Sequence, residues 1–268
     1  MKHGMLSTFL LIKRHRHLIW TLVLRDIKSR YVGSAMGFFW AVINPLIMLG
    51  VFTFVFATIF RQRVGSGGEE NFFAFMFCGL WPWFAFSEGV SRSSYAIIEN
   101  AHIIKKVVFP SEVFVVTTVL SSFVQQVIGF VLFFGLLSVM GQLKNPLYLL
   151  LLPAVFAVQL AFAIGIGWLL SSLTVFVRDV AQITSAFLLV WLYVTPIFYP
   201  EKLVPSAFHF ILVVNPMHHL LSIYRSLILG GRLPEPMGVV YVVVIAWAAL
   251  WLGSRVFGHL KATFADLL

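Results

Sequence analysis

Six apolar runs, each long enough to cross a bilayer, leave this chain few folds to adopt. They lie near Met36–Phe60, Phe72–Ser91, Val113–Met140, Leu147–Phe176, Val180–Tyr199 and Met237–Phe257. A helix needs about 20 residues to cross a hydrocarbon core of about 30 Å. Backbone groups in lipid must find their hydrogen bonds within the segment, so each run is predicted to be a helix. The fold class is therefore all-α, a polytopic membrane protein with six transmembrane helices. The breaks agree: "GQLKNP" places Gly141, Asn145 and Pro146 between the third and fourth runs, and "VRDV" leaves Arg178 and Asp179 to turn the fourth into the fifth. Charged residues make up only 11% of the chain, less than half the roughly 25% of a soluble domain.

Orientation follows from the lysines and arginines in the connections. With the N-terminus inside, seven precede the first run, three lie between the second and third, one is Arg178, and Arg255 and Lys261 lie at or beyond the end of the sixth. That places 13 of the 19 on the inner side and predicts that both termini face the cytoplasm. The net charge of +9 is then a topology signal rather than a nucleic-acid footprint. "MKHGMLSTFLLIKRHRH" has a short apolar stretch, a basic cluster after it and no small-residue cleavage site, so it does not read as a signal peptide.

Three segments are neither span nor short loop. Residues 1–35 precede the six-span domain of 36–268 and contain "LIWTLVLRDIKSRYV", Leu18–Val32. At 100° per residue Ile19, Trp20, Val23, Leu24, Ile27 and Tyr31 form one stripe, opposite Arg25, Lys28 and Ser29. This is an amphipathic helix, lying in the cytoplasmic interface or simply leading into the first span. The second segment, "NAHIIKKVVFPSE", falls between two spans within about 97–109. Asn100 is predicted to cap a short helix, which Phe109 before Pro110 must end, and Ser111 and Glu112 suit the start of the third span. It presents Asn100, His102, Lys105 and Lys106 either as a solvated loop or as a docking element for a soluble partner. The third, about 200–236, carries Asn215 as cap, Pro216 at the first helical position and terminal glycines. Too short and polar to span, it is predicted to dip into the outer half of the membrane, where it can close an exit.

The motifs exclude more than they assert. No Gly-Lys pair occurs, so there is no G-x-x-x-x-G-K-[ST] phosphate loop. His218 and His219 are adjacent and lack the i, i+4 spacing of a metal pair. The single cysteine, Cys78, allows neither a disulfide framework nor a cysteine metal site. Enzymatic chemistry has no candidate nucleophile. Glu88 is an acid within a span, read either as an ion pair with Arg92 four residues on or as a transport residue. Ser121, Ser122, Gln125 and Gln126 mark a polar face of the third span, toward other helices or a water-filled path. Ala161 and Gly165, four apart, permit close helix approach. Aromatics form 16% of the chain; rings such as Trp191 and Tyr193 serve a sugar conduit or anchor the spans at the interface.

Several phrases together resemble the type-2 family of ABC exporter permeases, in particular subunits that export O-antigen, teichoic acid and capsular polysaccharide. They are "LVLRDIKSRYVGSAMGFFWAVINPLI", "ENAHIIKKVVFPSE", "VRDVAQI", "VTPIFYPEKLVP" and "NPMHHLLSIYRSLI", from about Leu22 to Gly230. The likeness is stronger to the O-antigen and teichoic-acid branches than to the capsular one. It implies a non-enzymatic permease in a bacterial inner membrane, present as two copies with two ATP-binding subunits. ATP and Mg are held by the partner, and an undecaprenyl-diphosphate-linked glycan moves outward. It further implies ATPase-subunit contacts at Arg25, Asp26, Lys28 and Arg30 and at a coupling helix with Asn100, His102, Ile103, Ile104, Lys105 and Lys106. The path would draw on Glu88, Ser121, Gln125, Gln126, Trp191 and Tyr193, and the outer gate on Tyr199, Asn215, His218, His219, Tyr224 and Arg225. A type-2 permease for a drug or lipid, and a membrane-embedded transferase, are the alternatives.

Overall fold

The computed structural model describes residues 13–30, 36, 39–55, 72–106, 109–139 and 145–268. Among these the secondary structure is helical, with no strand. Helix α1 is Arg16–Ser29, α2 is Trp40–Thr53, α3 is Phe72–Glu99, α4 is Ala101–Lys106 and α5 is Glu112–Val139. After a 3₁₀ turn at Pro146–Leu151 come α6, Leu152–Phe176, and α7, Asp179–Val194. After α7 come α8, His209–Val214, and α9, Pro216–Arg225; α10, Pro236–Leu260, and the short α11, Phe264–Leu267, complete the order.

By length and hydropathy, Glu112–Gly135, Pro146–Phe176 and Pro236–Leu267 can each cross a membrane. The other three predicted crossings map to α2, described over 14 residues, α3 and α7. The 28 residues of α3 extend about 42 Å, so this helix runs on past the predicted end at Ser91. Its last turns carry Arg92 and Glu99 rather than lipid-facing residues. The 16 residues of α7 reach only about 24 Å, and the chain from Thr195 to Tyr199 leaves helical geometry.

Interior packing explains which faces meet. Gly165 and Gly253 let α6 and α10 touch backbone to backbone; a Cβ on either would overlap the other helix's main chain. Of the predicted small pair, Gly165 makes the close approach. At α1 the predicted stripe divides: Ile19 and Val23 are buried and Ile27 packs beside them, whereas Trp20 and Leu24 face outward. Tyr31 lies outside the described residues. The narrow buried line seats α1 on α5.

One end of the bundle gathers α1, α4, the start of α5 and the end of α10. Asp26 of α1 meets Arg92 of α3, the Trp168 indole donates to the Glu112 carbonyl at 3.3 Å, and Lys261 pairs with Glu112 at 2.6 Å. Asn100 does not cap α4 with its side chain as expected. Its amide donates back to the Ala96 carbonyl at 2.8 Å, closing α3, while its own carbonyl accepts from Ile103 and Ile104. At the opposite end α8 and α9 meet at 86°. Here Asn215 is the predicted cap, its Oδ1 accepting from the Met217 and His218 amides, with Pro216 next. Gly231 ends the element in the left-handed region, φ 54°, which suits glycine.

Candidate functional site

A cleft of about 560 Å³ opens between α3, α5 and α7, with Met48 of α2 at its edge. Helical spacing builds each wall. Phe84, Ser87, Glu88 and Ser91 share one face of α3, Ser122, Gln125 and Gln126 one face of α5, and Ser185, Leu188, Leu189 and Leu192 one face of α7. Trp81 and Trp83 add indole surface. The cleft thus has an apolar flank of indole and leucine and a polar flank of serine, amide and carboxylate.

A charge cluster joins the polar flank to α1. Arg30 donates to Glu88 Oε1 at 2.5 Å, to Gln125 Oε1 at 3.2 Å and to Ser122 Oγ at 3.4 Å, while also bonding Asp26 at 3.3 Å. Arg92 grips Asp26 with both terminal nitrogens, at 2.8 and 3.1 Å. The expected Glu88–Arg92 pair is present but loose at 3.8 Å; each partner bonds more closely across to α1. Burial alone raises the Asp26 carboxyl, but Arg92, by hydrogen bond and charge, and Arg30 outweigh it and hold the group below 3.8. The cluster is a cross-helix tie between α1 and the cleft wall.

A buried polar network stands behind the indoles. Gln159 of α6 donates to the Pro82 carbonyl at 2.8 Å, beside the proline that interrupts the α3 ladder. Its Oε1 accepts from the Tyr224 hydroxyl at 2.7 Å and from Gln126 at 3.2 Å, and the Trp81 indole donates to the Gln126 carbonyl at 3.0 Å. Gly129 makes room for Trp81, since any Cβ there would overlap the indole. Four elements, α3, α5, α6 and α9, are pinned at this level.

The sequence-predicted site residues divide accordingly. Of the six path candidates, Glu88, Gln125 and Gln126 line the cleft. Ser121 is buried and bonds the Thr117 carbonyl. Trp191 packs edge-on against Trp83 and Phe86 and donates to Asn215, and Tyr193 faces outward. Among the partner-contact candidates, Arg25, Lys28, His102, Lys105 and Lys106 are exposed, whereas Asp26 and Arg30 turn into the cluster. Ile103 and Ile104 are half-buried against the core, so they hold α4 down.

The gate candidates anchor the α8–α9 segment at both ends. Asn215 ties it to α7 through Trp191 and, by its amide, the Thr195 hydroxyl at 2.9 Å. Tyr199 bonds the Tyr193 carbonyl, and His218 is buried near Glu201. His219 meets the Val213 carbonyl and the Tyr241 ring. Tyr224 lies in the core network, and Arg225 stacks 3.7 Å over the Phe75 ring and donates to the Ile197 carbonyl. Sequence reasoning missed Trp81, Trp83, Gln159 and the inward role of Arg30. The serine-and-amide spacing on α3 and α5 was the signal available for the cleft. Among the described residues no group of three His, Cys, Asp or Glu side chains converges as a metal would need.

An amphipathic helix, an ion-tied cleft among long apolar helices and a sharply bent helix pair define a polytopic membrane protein. The chain belongs to the ABC-2 type transporter family, whose model matches residues 17–229. It is similar to the O-antigen export system permease protein RfbA of Myxococcus xanthus, 31% identical over 258 residues, covering 94% of this chain and 96% of that protein. RfbA of Klebsiella pneumoniae is 29% identical, covering 91% and 92%, and the polysialic acid transport protein KpsM of Escherichia coli is 22% identical, covering 88% and 90%.

Proposed function

We propose that this chain is the permease subunit of an ATP-driven exporter of a lipid-linked, O-antigen-like polysaccharide in a bacterial inner membrane. It works as two copies bound to two ATP-binding subunits, which hold ATP and Mg. The observation that carries the reading is Arg30, which hydrogen-bonds at once to Asp26 on the interface helix and to Glu88 and Gln125 on the cleft wall. A transport subunit must pass a movement made at its cytoplasmic face into its path, and a charged tie between rigid helices transmits motion that a loop would absorb.

Helices α1 and α4 receive the ATP-binding subunit, on a face that exposes Arg25, Lys28, His102, Lys105 and Lys106. The cleft suits an amphipathic cargo. Its leucines and indoles accept a lipid chain or the apolar face of a sugar ring, and its serines and amides meet hydroxyls. The bent α8–α9 element lies at the far end, where cargo leaves, with both termini of the chain on the cytoplasmic side. The test is a strain lacking this chain: lipid-linked glycan should accumulate inside and surface glycan disappear, both reversed by the wild-type gene. Unchanged surface glycan would refute the substrate class.

A further inference from the structure

We propose that residues 261–268 brace the coupling helix α4, making Lys261 and Phe264 positioning residues for transport; the proposal rests on reading α4 as the site that receives the ATP-binding subunit. A helix of six residues is too short to hold itself, so its position is set by what it packs on. Its inner residues Ile103 and Ile104 sit against the core. Helix α11, Phe264–Leu267, packs on α4 and on α6. Phe264 is 1% exposed and meets Phe257 edge-on at 5.3 Å.

An ion pair fixes this brace to the start of α5. Lys261 Nζ lies 2.6 Å from Glu112 Oε1, whose side chain is 7% exposed. Glu112 opens the span that follows α4, and its carbonyl accepts from Trp168 of α6. The brace therefore touches α4 on one side and the next span's first turn on the other. A push on α4 is then delivered to α5 and α6 rather than lost in a tilt of the short helix. Residues 261–268 lie beyond the 17–229 matched by the family model.

The experiment uses the full permease in complex with its ATP-binding subunit, comparing Lys261→Met, Lys261→Arg, Phe264→Ala and Phe264→Leu. Subunit retention on the purified permease, ATP hydrolysis and surface glycan in a strain lacking the chromosomal copy are measured together. Lys261→Met and Phe264→Ala should keep hydrolysing ATP but export about five-fold less glycan per ATP, the lower end of measured coupling between sites. Lys261→Arg and Phe264→Leu should recover most of it. Wild-type export per ATP in both Lys261→Met and Phe264→Ala would overturn the brace. As a control on the underlying reading, Lys105→Glu with Lys106→Glu should release the subunit. Retention of the subunit there would refute the coupling role of α4, and the brace with it.

Discussion

Arg30 and Glu88, 58 residues apart in sequence, meet at 2.5 Å where α1 crosses the wall of the cleft. Arg30→Met leaves Glu88, among the described residues, with the loose 3.8 Å contact to Arg92. A hydrogen bond between charged groups is worth about 1.5–3 kcal/mol when buried. Glu88 is 36% exposed, so solvent screens part of this and roughly 1 kcal/mol should be lost. Thermal unfolding in detergent should show that small shift, whereas export falls much further. Equal losses in both would make the tie merely structural.

Acid should loosen the same cluster. The Asp26 carboxyl is held below its ordinary 3.8 by its arginine partners, so its folded value lies below its unfolded value. Its contribution is fully present above about pH 4 and is lost as pH falls through the folded value. Unfolding midpoints followed from neutral pH into that window should drop more steeply for the wild type than for Asp26→Asn. Parallel curves would show that Asp26 adds no pH-dependent stability.

Gly129 is the seat of the Trp81 indole. Gly129→Ala should push that ring into the cleft and cost about 1–3 kcal/mol through overpacking. Adding Trp81→Leu should recover much of the stability, because the overlap is with the indole itself. Full stability of the single variant would contradict the packing described.

Tyr224 is predicted to stabilise the fold as well as the α8–α9 segment. Tyr224→Phe removes the 2.7 Å donor to Gln159 Oε1 and leaves that oxygen its longer bond from Gln126, a cost of about 0.5–1.5 kcal/mol. The purified variant should melt earlier. A variant with unchanged melting and altered export would instead assign Tyr224 to gating alone.

Much of this architecture was legible in the sequence because membrane physics writes it in long apolar runs and helix punctuation. Asn215–Pro216, the glycines after α9 and the Phe109–Pro110 stop all predict element ends. Local spacing also revealed the polar face of α5, since Ser122, Gln125 and Gln126 fall on one side of one helix. What stayed hidden depends on distant partners. Glu88 reads as the partner of Arg92 by i, i+4 spacing, but α1 brings Arg30 and Asp26 between them. Gln159 sits alone in an apolar run, and only the folded chain shows Tyr224 and the Pro82 carbonyl beside it. Tyr224 itself reads as a gate residue because it follows the Asn215–Pro216 start of a short helix in sequence.

The central claim, that this chain carries a lipid-linked glycan outward under power from an ATP-binding subunit, is tested most directly in reconstituted vesicles. Permease and ATP-binding subunit are inserted together with lipid-linked glycan, and a glycan-binding lectin reports what reaches the far leaflet. Lectin-accessible glycan should rise only when ATP and both subunits are present, and Arg30→Met should suppress the rise. ATP hydrolysis by an intact wild-type complex with no gain in lectin-accessible glycan would contradict the account.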